Sequence, residues 1–90
     1  TRLLAAELGK NGVTANAVAP TPVDTAMILQ AHGPQDRQLW YDQLPIQRYA
    51  KPQEVAASVA FLASDSAAFI NGHILNIDGG FMASGILLDQ

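Results

Sequence analysis

Apolar and small residues recur along the chain with two different spacings, which predict helices and strands in alternation. Leu4 and Leu8 lie four residues apart among good helix formers, so residues 1–8 are predicted to be helical, with Gly9 as the helix end. Residues 13–18 are apolar or small at most positions, which is typical of a parallel strand that is covered on both faces. The same reasoning gives the order helix, strand, helix, helix, strand for the whole chain.

The remainder of the chain supplies the later helices and the second strand. Asp24 or Thr25 can cap a short helix that ends at a Gly-Pro pair, and residues 35–49 are amphipathic and predicted to be a partly helical surface segment. Residues 53–63 form the clearest helix, and residues 73–78 form a strand that ends at two glycines. Two strands joined by a helical crossover form a right-handed βαβ unit with parallel pairing. The predicted fold class is therefore α/β, and we expect further strands, from a second copy or from a preceding part of the protein, beside this pair.

Composition and charge limit the partners that the chain can bind. With 49% hydrophobic and 14% charged residues, the 90-residue chain is predicted to be at most one small, core-rich domain. The net charge of −3, without any run of Lys or Arg, argues against nucleic acid and anionic lipid as partners. No cysteine is present, and no apolar run approaches the ~18–20 residues of a membrane span. We therefore expect a cytoplasmic protein without a membrane or nucleic-acid partner.

Two long stretches carry a resemblance to a known family. "TRLLAAELGKNGVTANAVAPTPVDTAM" and "PIQRYAKPQEVAASVAFLASDSAAFINGHILNIDGG" resemble the C-terminal part of a classical short-chain dehydrogenase/reductase. The resemblance implies a Rossmann-like doubly wound parallel sheet, with NAD or NADP across the carboxyl ends of its strands. Residues 1–90 would be the C-terminal segment of that domain, with a substrate lid at about residues 25–49. The glycine-rich phosphate loop and the catalytic Ser-Tyr-Lys set are expected in an N-terminal half outside this chain, so no catalytic residue is assigned here.

The segment from Pro20 to Thr25 corresponds to the family's loop that faces the nicotinamide. Pro20 and Pro22 fix φ and remove two N–H donors, which predicts an apolar wall with few hydrogen bonds. The resemblance assigns the Val23 N–H and C=O to the nicotinamide carboxamide, and the Thr25 hydroxyl to the carboxamide or to a phosphate oxygen. Thr21 departs from the family, which usually has Gly at this position. The alternative is that the loop merely ends a strand and caps a helix.

Three apolar or aromatic residues of the lid, Met27, Trp40 and Tyr41, are predicted to contact the substrate. The alternative is that they only pack a pair of amphipathic helices. Neither Tyr41 nor Tyr49 is followed by Lys four residues later, so neither is predicted to be a catalytic proton donor. The two histidines lie far apart in the sequence without neighbouring carboxylates, so no metal site is predicted.

The resemblance implies an oxidoreductase that transfers hydride between the nicotinamide and a small-molecule secondary alcohol or ketone, of a sugar, polyol or 3-oxoacyl type. The 90 residues alone are predicted to be inactive. Helix 53–63 and strand 73–78 correspond to elements through which the family pairs its subunits, so we expect a homo-oligomer, a dimer or tetramer. The alternative is a non-catalytic oligomerisation or interaction module derived from the same family.

Overall fold

A computed structural model describes residues 1–83 of the chain. Its elements are α1 (Arg2–Leu8), β1 (Ala17–Pro20), α2 (Ala26–Ala31), α3 (Pro34–Gln43), α4 (Pro52–Leu62) and β2 (Ile74–Ile77). Short 3-10 turns at Gly9–Asn11 and Asp65–Ala67 follow α1 and α4. None of the helices within residues 1–83 is both long and apolar enough to cross a membrane.

The two strands form a parallel pair. Ala17 lies opposite Ile74 and Pro20 lies opposite Ile77, and the chain crosses between the strands through α2, α3 and α4. The predicted parallel pairing is therefore confirmed. Because the strands are parallel, their carboxyl ends share one edge of the sheet. The loop after β1 and the glycines after β2 consequently meet at that edge.

The first strand begins at Ala17, later than the apolar pattern predicted. The preceding residues are held by side-chain amides: Asn71 Oδ1 accepts from the Ala15 N–H, and Asn16 Nδ2 donates to the Ile70 carbonyl, both at 2.9 Å. Together with the Gly72 N–H, which donates to the Ala15 carbonyl at 2.9 Å, these side-chain bonds join the two segments before regular strand pairing begins. The expected cover on both faces is also not provided by residues 1–83, which leave the last two residues of β1 exposed.

Helix ends follow local signals, with two corrections. Gly9 has a right-handed φ of −56°, and the chain continues in a 3-10 turn to Gly12, whose φ of 77° makes it the glycine that redirects the chain. Helix α2 ends before Gly33 and Pro34 as predicted, but α3 starts at Pro34, one residue earlier than the predicted segment 35–49. Proline is tolerated in a first helical turn because its missing N–H has no intrahelical partner there, so the same dipeptide can end one helix and begin the next.

The hydrophobic core of residues 1–83 is small. Its buried side chains are Ala5, Leu44, Tyr49 and Ala67. Many large apolar side chains remain accessible to solvent, among them Leu3, Val59 and the fully exposed Phe69. Residues 1–83 thus present an apolar surface that they do not themselves bury.

Candidate functional site

The loop at residues 20–25, here called the proline loop, leaves the carboxyl end of β1 and is fixed to two other segments. The Thr21 N–H donates to the Ile77 carbonyl at 3.3 Å and extends the ladder with β2. The Pro22 carbonyl accepts from the Ala50 N–H at 3.2 Å, and the Asp24 N–H donates to the Ala50 carbonyl at 2.8 Å. These bonds make a parallel bridge between Val23 and Ala50. The expectation of a loop with few hydrogen bonds is therefore wrong, because backbone groups of Thr21, Pro22 and Asp24 pair with distant segments.

Val23 lies at the centre of the proline loop. Its carbonyl accepts from the Thr25 N–H at 2.8 Å, whereas its N–H has no hydrogen-bond partner among residues 1–83. A carbonyl oxygen has two lone pairs, so it can accept a second bond from a ligand. Pro20, at the start of the loop, is exposed. The loop thus offers one free donor and one partly used acceptor beside an apolar ring.

Thr25 ends the proline loop as the N-cap of α2. Its Oγ1 accepts from the Ile28 N–H at 3.3 Å, as the capping interpretation predicted. A threonine hydroxyl also carries one proton that it can donate. The capping bond therefore leaves a hydrogen-bond donor on Thr25 for a ligand.

The three predicted lid residues have different surroundings. Met27, on α2, is 74% exposed. The Trp40 ring packs against the Phe81 ring at 5.7 Å between centroids, and the Tyr41 ring meets the Tyr49 ring edge-on at 5.5 Å. The two aromatic residues of α3 therefore attach the helix to two different segments, while Met27 remains at the surface.

Tyr49 is the buried centre of a polar and aromatic cluster that includes residues of α3. Its hydroxyl lies 2.6 Å from His32 Nδ1, and its ring lies 5.0 Å under the Arg37 guanidinium. Burial raises the pKa of the Tyr49 phenol, so the hydroxyl keeps its proton at neutral pH. Arg37 also lies 3.8 Å from Asp24, which connects α3 to the proline loop.

An ion pair that sequence reasoning missed lies beside Ala50. Arg48 binds both carboxylate oxygens of Glu54, at 2.8 and 2.7 Å, and Glu54 also accepts from the Lys51 N–H at 2.8 Å. Arg48 and then the Lys51 N–H lower the pKa of Glu54 from 4.5 to about 2. The sequence signal for this ion pair is the placement of Arg48 before Pro52, the first residue of α4, and of the oppositely charged Glu54 after it.

Two cavities border the sheet. One, of about 370 Å³, lies at the carboxyl ends of both strands and is lined by Thr21, Ile46, Arg48, Ala50, Glu54, Asn76, Ile77, Asp78, Gly79 and Gly80. The other, of about 640 Å³, lies between the start of β1 and the end of α4. Of the four predicted cofactor residues, only Thr21 lines either cavity. Val23 itself is half-buried and lines neither of these two cavities.

The turn after β2 is held by Asp78. Its carboxylate accepts from the N–H groups of Gly80 at 3.0 Å and Met82 at 3.1 Å, so Asp78 caps the turn. Within residues 1–83, no three His, Asp or Glu side chains are placed to hold a metal ion.

Comparison with known proteins gives a consistent set of relatives. A family model described as enoyl-(acyl carrier protein) reductase matches residues 1–82. Galactitol 2-dehydrogenase of Rhizobium johnstonii is 44% identical over 82 residues, which are 90% of this chain and 32% of that protein. The chain thus spans about a third of the length of the curated relatives it matches.

Solved structures agree with the sequence relatives. A 3-oxoacyl-[acyl-carrier protein] reductase from Brucella melitensis superimposes with a TM-score of 0.84 at 32% identity, over 89% of this chain and 30% of that chain. An Agrobacterium tumefaciens structure with bound NADP, provisionally named 2-deoxy-D-gluconate 3-dehydrogenase, gives a TM-score of 0.86 at 33% identity, over 92% of this chain and 34% of that chain.

Proposed function

The chain belongs to the short-chain dehydrogenase/reductase family and has part of its Rossmann-like α/β fold, and we propose that it is the C-terminal part of an NAD(P)-dependent oxidoreductase. The substrate would be a small secondary alcohol or ketone of a sugar, polyol or 3-oxoacyl type. The observation that carries the proposal is the proline loop: it is fixed at the carboxyl end of a parallel strand, where such sheets bind ligands, and residues 1–83 provide no partner for the Val23 N–H. The names of the relatives support a sugar or polyol substrate and also a 3-oxoacyl substrate, and an NADP-bound relative supports the cofactor class.

Four residues of the proline loop would hold the nicotinamide end of the cofactor. The Val23 N–H would donate to the carboxamide oxygen, and the Val23 carbonyl would accept from the carboxamide nitrogen. The Thr25 hydroxyl would donate a further hydrogen bond, and Pro20 and Thr21 would form the wall against the ring. When bound, the nicotinamide supplies the carbon that accepts or gives the hydride. The loop's own role is to fix which face of the ring meets the substrate.

The proton that accompanies hydride transfer needs a separate acceptor. Oxidation of an alcohol breaks a C–H bond, with the electron pair leaving as hydride, and the hydroxyl proton must go to a base. Tyr49 does not fit this role, because it is buried, contacts His32 and has a raised pKa. We therefore place the proton-transferring residues outside this chain and expect the 90 residues alone to be inactive.

The lid would cover the substrate from the side of α2 and α3. Trp40, Tyr41 and Met27 are the residues we assign to substrate contact, and an apolar cover of this kind excludes water from the reacting atoms. Tyr41 is anchored on Tyr49, and Met27 is free to meet a ligand because it is 74% exposed.

The proposal is tested in the intact protein, whose length is first determined from its measured mass. Titration with NADH and NADPH, followed by an alcohol and ketone substrate screen, should show binding and turnover. Thr25→Val removes the hydroxyl with little change in shape and should weaken nicotinamide binding. Thr14→Val is the matched control, since Thr14 is exposed and lies before β1. An intact protein that binds neither nucleotide would overturn the proposal.

A non-catalytic interaction module is the second candidate, favoured by the apolar surface of residues 1–83. Phe69 is fully exposed and Ile74, on β2, is 48% exposed. In either case we propose a cytoplasmic homo-oligomer that pairs through helix 53–63 and strand 73–78, because burying an edge strand against its copy removes an aggregation hazard. The intact mass of the expressed protein, followed by titration with NADH and NADPH, separates the candidates. A larger mass with cofactor-dependent turnover supports the oxidoreductase, whereas an oligomer of 9.5 kDa chains that ignores both nucleotides supports the module.

A further inference from the structure

Both backbone polar groups of Ala50 form hydrogen bonds with the proline loop. Its N–H donates to the Pro22 carbonyl at 3.2 Å, and its carbonyl accepts from the Asp24 N–H at 2.8 Å. Val23 lies between these two bonds as the bridge partner of Ala50. The orientation of the Val23 N–H therefore depends on the orientation of the two peptide groups that flank Ala50.

The Arg48–Glu54 ion pair holds the opposite ends of those same two peptide groups. The peptide group that contains the Ala50 N–H also contains the Tyr49 carbonyl, which accepts from Arg48 Nη1 at 3.1 Å. The peptide group that contains the Ala50 carbonyl also contains the Lys51 N–H, which donates to Glu54 Oε1 at 2.8 Å. Because a peptide group is planar and stiff, holding one end directs the other.

The ion pair itself has a defined geometry. Arg48 Nη1 and Nη2 lie 2.8 and 2.7 Å from the two Glu54 oxygens, a bidentate arrangement that fixes both side chains in one plane. Glu54 is in the first turn of α4, so the ion pair ties the segment before the helix to the helix itself. Neither side chain makes a hydrogen bond to the proline loop.

We propose that Arg48 and Glu54 are positioning residues for the nicotinamide: they orient the two peptide groups of Ala50 and, through them, the Val23 N–H. This inference rests on the proposed function, because it assumes that the Val23 N–H binds the carboxamide. It assigns the ion pair an effect on the nicotinamide end of the cofactor and none on the adenosine end.

The test compares two probes in the intact protein: NAD(H) or NADP(H), and ADP-ribose or its 2′-phosphate, which lacks the nicotinamide ring. In Glu54→Gln and in Arg48→Met, the Kd for the dinucleotide should rise about fivefold to tenfold, which corresponds to the loss of one neutral hydrogen bond. The Kd for the ring-free probe should stay within about twofold, a change equivalent to less than one hydrogen bond. Glu7→Gln is the matched control, because Glu7 is exposed on α1 and makes no ion pair within residues 1–83.

The outcomes separate this inference from the proposed function. If the unmodified protein binds neither dinucleotide, the proposed function fails. If the unmodified protein binds the dinucleotides and the variants bind both probes as tightly as the unmodified protein does, the positioning inference is wrong. It is also wrong if both probes weaken in parallel, since that result indicates a general loss of structure.

A second measurement does not depend on cofactor binding. Amide hydrogen exchange of Ala50 and Asp24 should accelerate in Glu54→Gln, whereas the Ala17 amide, which donates to the His73 carbonyl at 2.9 Å, should keep its rate. In the double variant Arg48→Met/Glu54→Gln, exchange should be no faster than in the more affected single variant, because the two side chains act as one unit. Unchanged exchange at Ala50 and Asp24 would contradict the mechanism.

Discussion

Gly80 is the glycine whose replacement should cost the most. It follows β2 with a φ of 95°, in the left-handed region that residues with a Cβ rarely adopt. A Cβ built on Gly80 would lie 2.9 Å from Pro45 Cγ and 3.1 Å from Pro45 Cβ. A proline ring cannot rotate away as a flexible side chain can. Gly80→Ala therefore combines a backbone cost with a steric cost.

Two other glycines separate these costs. Gly12 has a φ of 77° and open space around its Cβ position, so Gly12→Ala carries only the backbone cost. Gly33 has a φ of −75° and also has open space, so Gly33→Ala carries neither cost. The left-handed conformation costs ~1–2 kcal/mol for a residue with a Cβ. Overpacking adds ~1–3 kcal/mol, so we expect ~2–5 kcal/mol for Gly80→Ala. Gly33→Ala should cost less than ~1 kcal/mol, the difference between two N-cap residues.

Urea unfolding of the three Gly→Ala variants of the intact protein measures this order. The free energy of unfolding should fall most for Gly80→Ala, less for Gly12→Ala and least for Gly33→Ala, with equal m-values. If Gly80→Ala is no more destabilising than Gly12→Ala, the contact with Pro45 is not as close as described. If Gly12→Ala equals Gly33→Ala, the argument from left-handed φ is wrong.

Three further changes have defined outcomes. Because the folded pKa of Glu54 is lowered from 4.5 to about 2, ionised Glu54 stabilises the fold above pH 4.5, and this contribution disappears as the pH falls towards 2. The difference in unfolding free energy between the unmodified protein and Glu54→Gln should therefore shrink as the pH falls from 4.5 towards 2. A difference that stays constant would contradict this prediction. Tyr49→Phe removes the hydroxyl that lies 2.6 Å from His32, and thermal unfolding should show a loss of ~1–2 kcal/mol, so an unchanged melting temperature would refute the buried contact. Leu44→Ala, at a side chain 2% exposed, should cost ~2–4 kcal/mol in urea unfolding, and a loss below ~1 kcal/mol would place Leu44 outside the core.

The elements that sequence predicted best are those with local end signals. Helix α4 and strand β2 lie within one residue of their predicted bounds, because Pro52 and Glu54 mark the start of the helix and Asn71-Gly72 and Gly79-Gly80 bracket the strand. The start of β1 was not predictable in this way. It depends on side-chain hydrogen bonds between segments that are distant in the sequence.

The candidate site was predictable only in part, for a similar reason. The prolines and the family resemblance located the proline loop, but nothing in the sequence marks Ala50, which acts through its backbone alone. Arg48 and Glu54 are six residues apart, outside the three- or four-residue spacing of helical ion pairs, because Arg48 precedes the helix that contains Glu54. A pattern search restricted to helix faces misses such a pair.

The proline loop and the lid are held with unequal strength. Backbone hydrogen bonds to Ile77 and Ala50 fix the loop, so binding of the proposed cofactor would cost little free energy for ordering the loop. The lid helix α3 reaches the loop through Arg37 and Asp24 at 3.8 Å, and the Asp24 side chain is half exposed. The Arg37 side chain is 21% exposed, and α3 also contacts Tyr49, the residue before Ala50, through Arg37 and Tyr41. Because side-chain contacts attach α3, whereas backbone hydrogen bonds fix the loop, we expect the proposed lid to adapt to a substrate more easily than the proposed nicotinamide contacts can move.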